Sequence, residues 1–154
     1  MTATATPHVV SAISGGALHP WHYATTPDQQ HEIVARLLGE PAGHVLFYVW
    51  NRPAGGARDE YPGQQLKVVY RDGYGAAHFT NSDPAHGPVG AWLAVADDPP
   101  ADVAPLAYDP WDPDRVALTP DVLLSIARLK QLVTEYATTG HRPVGTHWKA
   151  VDFV

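Results

Sequence analysis

Residues 119–148, TPDVLLSIARLKQLVTEYATTGHRPVGTHW, decide the fold of this chain. Thr119, Pro120 and Asp121 form a helix start, in which a hydroxyl caps the first turn, proline takes the first helical position and an acid faces the positive end of the helix dipole. Apolar residues then recur at helical spacing along one stripe: Val122, Ile126, Leu129, Val133, Tyr136 and Ala137. The stretch therefore predicts an amphipathic helix that covers a hydrophobic surface.

The same stretch predicts the end of the helix and the element after it. Gly140 supplies the left-handed residue that commonly terminates a helix, and Pro143 prevents its continuation. From Val144 onward the side chains alternate in the way typical of a strand, and Trp148 lies on one of its sides. We therefore expect a last strand that begins at Val144 and completes a sheet beneath the helix.

The upstream sequence contains the other elements of that sheet. Thr26, Pro27 and Asp28 repeat the helix start and predict a second helix, which ends at Gly39. Apolar and alternating runs, with an Asp-Gly hairpin signal between two of them, predict strands at residues 9–13, 18–23, 44–51, 65–70, 74–80 and 89–96. This order predicts an α+β fold, with a curved, mainly antiparallel sheet and two helices packed on it.

Length and composition restrict the class of protein. The chain of 154 residues fits one domain, so we expect an N-terminal tail and first strand over residues 1–14 and a single α+β domain over residues 15–154. The tail is a candidate contact for a homo-oligomer. The chain has no cysteine, which excludes disulfides and thiolate sites. It shows neither a membrane-spanning run nor a secretion signal, which predicts a cytoplasmic protein without membrane contact.

The charge balance favours a basic protein as the partner. The formal net charge is −6, because 16 acidic residues outnumber 10 lysines and arginines. Phosphate binding requires a basic surface, so this balance argues against nucleic acid as a ligand. An acidic surface attracts a basic protein instead.

Two acidic segments also carry aromatic residues. Six aspartates lie between residues 97 and 114, and a second acidic segment lies at residues 58–61. Acids among aromatic side chains are typical of protein-binding surfaces, although solvated loop charge and a paired-carboxylate catalytic site are the alternative interpretations. The candidate partner-binding residues are Asp59, Glu60, Tyr61, Tyr108, Asp109, Trp111, Asp112 and Asp114.

Nine histidines raise an enzymatic alternative. No HExxH or similar ligand spacing occurs, so we expect neither a metal nor a cofactor. The alternative function is a small enzyme or ligand-binding protein of an actinobacterial secondary-metabolite pathway, which uses a histidine and an aspartate as acid and base in a tryptophan-lined pocket. Its candidate catalytic residues are His19, His22, His78 and His147.

Residues 136–148, YATTGHRPVGTHW, resemble the C-terminal signature of the Imm1 family of bacterial immunity proteins. In that family a helix ends in a TG-x-RP turn and continues into a strand that bears tryptophan. The matching residues here are Thr139, Gly140, Arg142, Pro143 and Trp148. The resemblance implies structural roles: Gly140 for the turn, Arg142 for bonding loop carbonyls or a carboxylate, and Pro143 for strand entry.

The resemblance also implies a function. Imm1 proteins neutralise a cognate toxin, often a nucleic-acid deaminase, by binding it tightly and blocking its active site. The leading hypothesis is therefore a non-enzymatic immunity-type protein that occludes a basic, deaminase-like toxin domain. The net acidity of the chain agrees with such a partner.

Overall fold

The structure, a computed structural model, describes residues 8–15, 21–109, 112 and 114–153. Within these ranges the chain forms two α-helices, several short strands and one long sheet. In chain order the elements are β1 (Val9–Ser14), β2 (His22–Ala24), α1 (Pro27–Leu37), β3 (Ala42–Trp50), β4 (Gln64–Arg71), β5 (Tyr74–Asn81), β6 (Gly90–Ala94), β7 (Leu106–Ala107), β8 (Ala117–Leu118), β9 (Leu124–Ser125), α2 (Ile126–Thr139) and β10 (Trp148–Val151).

The main sheet has the strand order β10-β6-β5-β4-β3-β1-β2, and every neighbouring pair is antiparallel. Strand β9 adds a short pairing to β5, and β7 pairs with β8 in a separate two-stranded sheet. The α+β prediction, with a mainly antiparallel sheet and two helices, is confirmed.

Both helices lie on one face of the sheet. Helix α2 packs on β3, β4 and β5, helix α1 packs on β1 and β2, and the two helices contact each other. Residues that face each other across neighbouring strands share a face, so alternate positions of each strand enter this core. Its largest fully buried side chains include Phe47, Leu66, Leu129, Leu132 and Tyr136.

We call the opposite side of the sheet the far face. A second hydrophobic cluster covers part of it and joins Val69, Ala76 and Leu93 to residues of the segment 103–123. These three residues belong to β4, β5 and β6, and no described residue of β1, β2 or β3 enters the cluster. The second cluster therefore does not extend over the far face of β1, β2 and β3.

The start predicted at Thr119 for the C-terminal helix is wrong. Pro120–Val122 form one 3-10 turn, Leu124–Ser125 pair with β5, and α2 begins at Ile126 with Ser125 as its N-cap. The reason lies in the packing, because Leu123 belongs to the far-face cluster whereas Leu124 belongs to the core beneath the helices. The chain crosses from one face of the sheet to the other here, and a continuous helix could not make that crossing.

This boundary predicts a difference between two hydroxyl residues. The Ser125 side chain accepts a hydrogen bond from the Arg128 amide at 3.2 Å, whereas Thr119 caps no amide of its 3-10 turn. We expect Ser125→Ala to lower the free energy of unfolding by about 1 kcal/mol. Thr119→Ala should change it by less than about 0.5 kcal/mol. Urea unfolding of both variants measures the difference, and a larger cost for Thr119→Ala would contradict the observed helix start.

The predicted end of the helix is confirmed, whereas the predicted start of the last strand is wrong. Gly140 has φ 72° in the left-handed region, and its amide donates to the Tyr136 carbonyl at 2.8 Å. The last strand begins at Trp148, since β6 offers partners only to residues 148–151. Val144 has no strand partner and is 92% exposed, because it belongs to the turn that precedes the strand.

Several predictions fall outside the described residues. These are the N-terminal tail with its proposed oligomer contact, the first half of the predicted strand at 18–23, His19 and Trp111. Among the residues that are described, no helix has the length and apolar character needed to cross a membrane.

Candidate functional site

Four aromatic side chains form a cluster on the far face near one edge of the sheet. The aromatic cluster consists of Trp21, Tyr23, Tyr48 and Tyr61. The Trp21 ring centroid lies 6.2 Å from that of Tyr23, 6.0 Å from that of Tyr48 and 6.1 Å from that of Tyr61. The ring centroids of Tyr48 and Tyr61 are 5.4 Å apart. Trp21 therefore contacts the three tyrosines and forms the centre of the cluster.

The register of three strands brings these rings together. Ser11 of β1 faces Tyr23 of β2 on one side and Tyr48 of β3 on the other. Facing residues in an antiparallel sheet point to the same side, so both tyrosines stand on the far face above Ser11. Serine is small, which leaves room above it for the aromatic rings of its neighbours.

The loop 51–63, between β3 and β4, supplies the fourth ring and is fixed to the sheet. The Ala54 amide donates to the buried Ser11 hydroxyl at 3.0 Å, and the Tyr23 hydroxyl donates to the Ala54 carbonyl at 3.2 Å. Within the loop, the Gly55 amide donates to the Glu60 carbonyl at 2.7 Å. These bonds hold the part of the loop that carries Tyr61 against the sheet.

The Trp21 ring packs directly against the backbone of Gly55. Its φ of 68° lies in the left-handed region, where a side chain is strained. A Cβ atom at this position would lie 2.2 Å from Cζ2 of Trp21, which is an impossible contact. Glycine at position 55 thus serves both the loop conformation and the position of the indole.

Two tyrosines of the cluster, Tyr48 and Tyr61, stay protonated over the physiological range. The Tyr48 hydroxyl donates to Oε1 of Gln65 at 2.6 Å, and burial, with a smaller effect of Tyr61, raises the pKa of Tyr48 to about 12. Burial also raises the pKa of Tyr61, and a hydrogen bond to Asp59 adds to this effect. Both phenols are therefore neutral hydrogen-bond donors, and neither is a base at neutral pH.

Charged residues border the aromatic cluster. Glu60 forms an ion pair with Arg52 at 3.3 Å, and the Arg52 guanidinium lies 4.0 Å from the ring centroid of Trp50. Both side chains of the pair are substantially exposed, so the pair adds little stability. The pair holds the Arg52 and Glu60 side chains together at the border of the aromatic cluster.

The second predicted acidic segment approaches the same face from the other side. Asp109 acts electrostatically on Lys67 and on His44, which occupy far-face positions of β4 and β3. Burial lowers the pKa of Lys67, and the charge of Asp109 opposes this shift. The exposed residues Asp112 and Asp114 continue this segment.

The prediction that Tyr108 lies on a partner-binding surface is wrong, because this side chain is buried. The Lys67 ammonium lies 3.9 Å from its ring centroid, and the Phe153 ring packs against it at 4.9 Å. Its hydroxyl donates to Nδ1 of His78 at 2.9 Å. Tyr108 therefore attaches the segment to the sheet.

His78 has a structural environment. It is buried on β5, and its Nε2 donates to the Phe153 carbonyl at 3.1 Å, which leaves Nδ1 as the acceptor for Tyr108. Burial lowers the pKa of His78 to about 4; the hydrogen bond to the Phe153 carbonyl opposes this shift, and the nearby charge of Lys67 makes a smaller contribution in the same direction as burial. The imidazole is neutral at pH 7, and both of its nitrogens are occupied.

The structure separates the histidines of the enzymatic alternative. His22 lies on β2 at one edge of the sheet, whereas the exposed His147 directly precedes β10 at the other edge. Six strand spacings, roughly 28 Å, lie between these edges. His22 faces Ala12 of the helix-covered core side, and His78 stands on the far face. These three histidines cannot act in one site.

The turn after α2 holds the residues that were predicted to be structural. The Trp148 indole donates to the Pro143 carbonyl at 2.8 Å. The predicted role of Arg142 is wrong, because its guanidinium lies over the rings of Trp92 and Trp148, at 4.6 and 5.9 Å from their centroids. Among the described residues it bonds neither a loop carbonyl nor a carboxylate.

The sequence predicted Asp59, Glu60 and Tyr61 as candidate partner-binding residues. It gave no such prediction for Trp21 and Tyr48, the other side chains that pack with Tyr61. A pattern of two aromatics at alternate positions, residues 21 and 23, was the available signal. It became informative only with the strand register, which places Tyr23 of β2 across β1 from Tyr48 of β3.

The described part of the chain contains no group of three histidine, aspartate or glutamate side chains that could hold a metal. Compared with models of known protein families and with curated proteins, the chain matches none.

Proposed function

We propose that this chain is an immunity-type binding protein, which docks and occludes a basic, deaminase-like toxin domain with the aromatic cluster and the acidic residues beside it. The observation that carries the proposal is the aromatic cluster itself. Tyr23 and Tyr61 are 41% and 47% exposed and stand next to the half-buried Trp21. Tryptophan and tyrosine are the residues that most often dominate the binding energy of protein interfaces.

The cluster is held in place before any partner arrives. Hydrogen bonds fix the loop 51–63, Gly55 seats Trp21, and Tyr48 is bound to Gln65. Side chains that are already ordered lose little conformational entropy on binding, so more of the contact energy appears as affinity. This preorganisation suits tight occlusion of a partner.

The charges beside the cluster support a basic partner. Asp59 and Glu60 lie on the loop that carries Tyr61, and Asp109, Asp112 and Asp114 lie on the segment that approaches from β4. The whole chain carries a net charge of −6. Acidic residues around an aromatic centre steer a basic protein and raise its association rate.

The positions of the histidines support a binding function over acid–base catalysis. His78 is buried with both ring nitrogens bonded, and His22 and His147 lie at opposite edges of the sheet. Tyr48 and Tyr61 of the aromatic cluster have raised pKa values, so they are protonated at neutral pH and cannot serve as bases.

Charge reversal tests the acidic side of the proposed interface. We expect Asp109→Lys combined with Asp112→Lys to weaken binding of the candidate toxin, to be sought in the product of the adjacent gene, at least tenfold, about 1.4 kcal/mol. Like charges would then face the basic partner. Isothermal titration calorimetry of the purified proteins gives the dissociation constant.

A matched double variant provides the control. Glu32→Lys with Glu40→Lys makes the same change in net charge, at exposed residues of α1 and of the turn after it. We expect this control to weaken binding less than threefold, since only the overall charge changes. Equal losses for the two double variants would show that the segment around Asp109 is not part of the interface.

A further inference from the structure

A surface cavity of about 320 Å³ lies at the opposite edge of the sheet from the aromatic cluster. Its sides are formed by the turn after α2 and by the 3-10 turn Pro84–His86, and strands β5, β6 and β10 also contribute side chains. The volume is at the lower end of the range for small-molecule sites. The aromatic and basic side chains that line the cavity are Phe79, His86, Trp92, His141, Arg142 and Trp148.

Three aromatic rings form ordered walls. Phe79 is buried, and its ring centroid lies 6.1 Å from that of Trp92 and 6.3 Å from that of Trp148. The hydrogen bond from the Trp148 indole to the Pro143 carbonyl fixes the orientation of that ring. These walls offer a flat apolar surface to a ligand.

The cavity also contains a guanidinium with free donor capacity. The Arg142 guanidinium lies over the Trp92 ring, 4.6 Å from its centroid, and 5.9 Å from the centroid of Trp148, so cation–π contacts hold it beside both indoles. The N–H donors at the edge of the plane form no hydrogen bond or ion pair with any other described residue. A stacked arginine in this state is prepared for a planar, bidentate acceptor.

The other polar residues of the cavity agree with an anionic ligand. His86 and His141 line it, and His86 lies 3.5 Å from Asp83, which is outside the cavity lining. None of the described lining residues is an aspartate or glutamate, although the chain has 16 acids. Three other surface cavities of the molecule each include at least one aspartate, such as Asp152 or Asp97.

We propose that this cavity binds a small molecule in which an oxyanion, a carboxylate or a phosphate, is joined to an aromatic ring. The oxyanion accepts hydrogen bonds from the edge of Arg142, and the ring packs against the walls formed by Trp92 and Trp148. The site is independent of the toxin-binding surface and can be tested without any partner protein.

Nuclear magnetic resonance of the five tryptophan indole N–H groups provides the test. The probes are benzoate, phenyl phosphate and the uncharged benzyl alcohol. We expect benzoate or phenyl phosphate to shift the Trp92 and Trp148 indole signals saturably, with an affinity at least tenfold above that of benzyl alcohol. The tighter of the two anions identifies the preferred oxyanion.

Variants connect the signal to the guanidinium. Arg142→Gln should weaken the tighter probe at least tenfold, and Arg142→Lys, which keeps the charge but not the fork, at least threefold. Arg36→Gln, on the exposed side of α1, is the control and should leave the affinity unchanged. The dispersion of each variant's spectrum shows whether it is folded. If Arg142→Gln does not fold, the Lys variant decides in its place.

Three outcomes would overturn the proposal. The first is the absence of a saturable shift with either anion, and the second is equal binding of benzyl alcohol. The third is an unchanged affinity in a folded Arg142 variant.

Discussion

Replacement of Trp21 by alanine is expected to weaken binding of the cognate toxin by at least 2 kcal/mol, about thirtyfold in the dissociation constant. Trp21 contacts Tyr23, Tyr48 and Tyr61, so its loss removes the centre of the aromatic cluster. The remaining tyrosines would lose their common neighbour and with it their fixed positions. Most of the change should therefore appear as faster dissociation.

Calorimetry and a kinetic binding assay measure this effect, and urea unfolding checks that the variant is folded. Val144→Ala is the control, because Val144 is 92% exposed and lies in the turn before β10, at the other edge of the sheet. It should bind as the unmodified protein does. An affinity for Trp21→Ala within twofold of the original would exclude the aromatic cluster as the interface.

Acidification is expected to destabilise the fold through His78. Its pKa is about 4 in the folded protein against an ordinary value of 6.5, so below pH 6.5 the unfolded chain takes up a proton that the folded chain does not. Stability is thus unaffected above about pH 7 and falls between pH 6.5 and 4. From pH 7.5 to pH 5 we expect a loss of about 2 kcal/mol from this residue.

The comparison with His78→Gln isolates this contribution. Tyr108, Phe153 and Lys67 face the imidazole and remain in the variant, which is expected to be less stable at neutral pH. Its free energy of unfolding should nevertheless fall less steeply between pH 7.5 and 5. Urea unfolding at several pH values gives both slopes, and parallel slopes would show that His78 is not the titrating group.

The sequence was sufficient for the fold class because local signals and the global arrangement agree. Gly140 ends α2 in the left-handed conformation, and the Asp-Gly pair joins β4 to β5, as their residue types require. The failure at Thr119 has a physical cause. The cap, proline and acid at residues 119–121 favour a helix locally, but the neighbours Leu123 and Leu124 must be buried on opposite faces of the sheet.

The proposed binding surface was only partly predictable for a similar reason. Tyr61 was predicted because acids precede it in the sequence, whereas the buried Tyr48 lies within an apolar strand and gives no local sign that it packs beneath a surface aromatic cluster. Only the register Tyr23–Ser11–Tyr48 reveals that these rings share a face. Tyr108 shows the converse, since its acidic neighbours suggested exposure while its ring is buried against His78 and Phe153.

Hydrogen–deuterium exchange of this protein, alone and with the candidate toxin sought in the product of the adjacent gene, tests the central claim most directly. If the far face beside β2 occludes the toxin, the complex should show slower exchange in β2 and in the loop 51–63. The exposed surfaces of α1 and α2 should exchange at unchanged rates. Protection confined to the helices, or no protection at all with saturating toxin, would contradict the account.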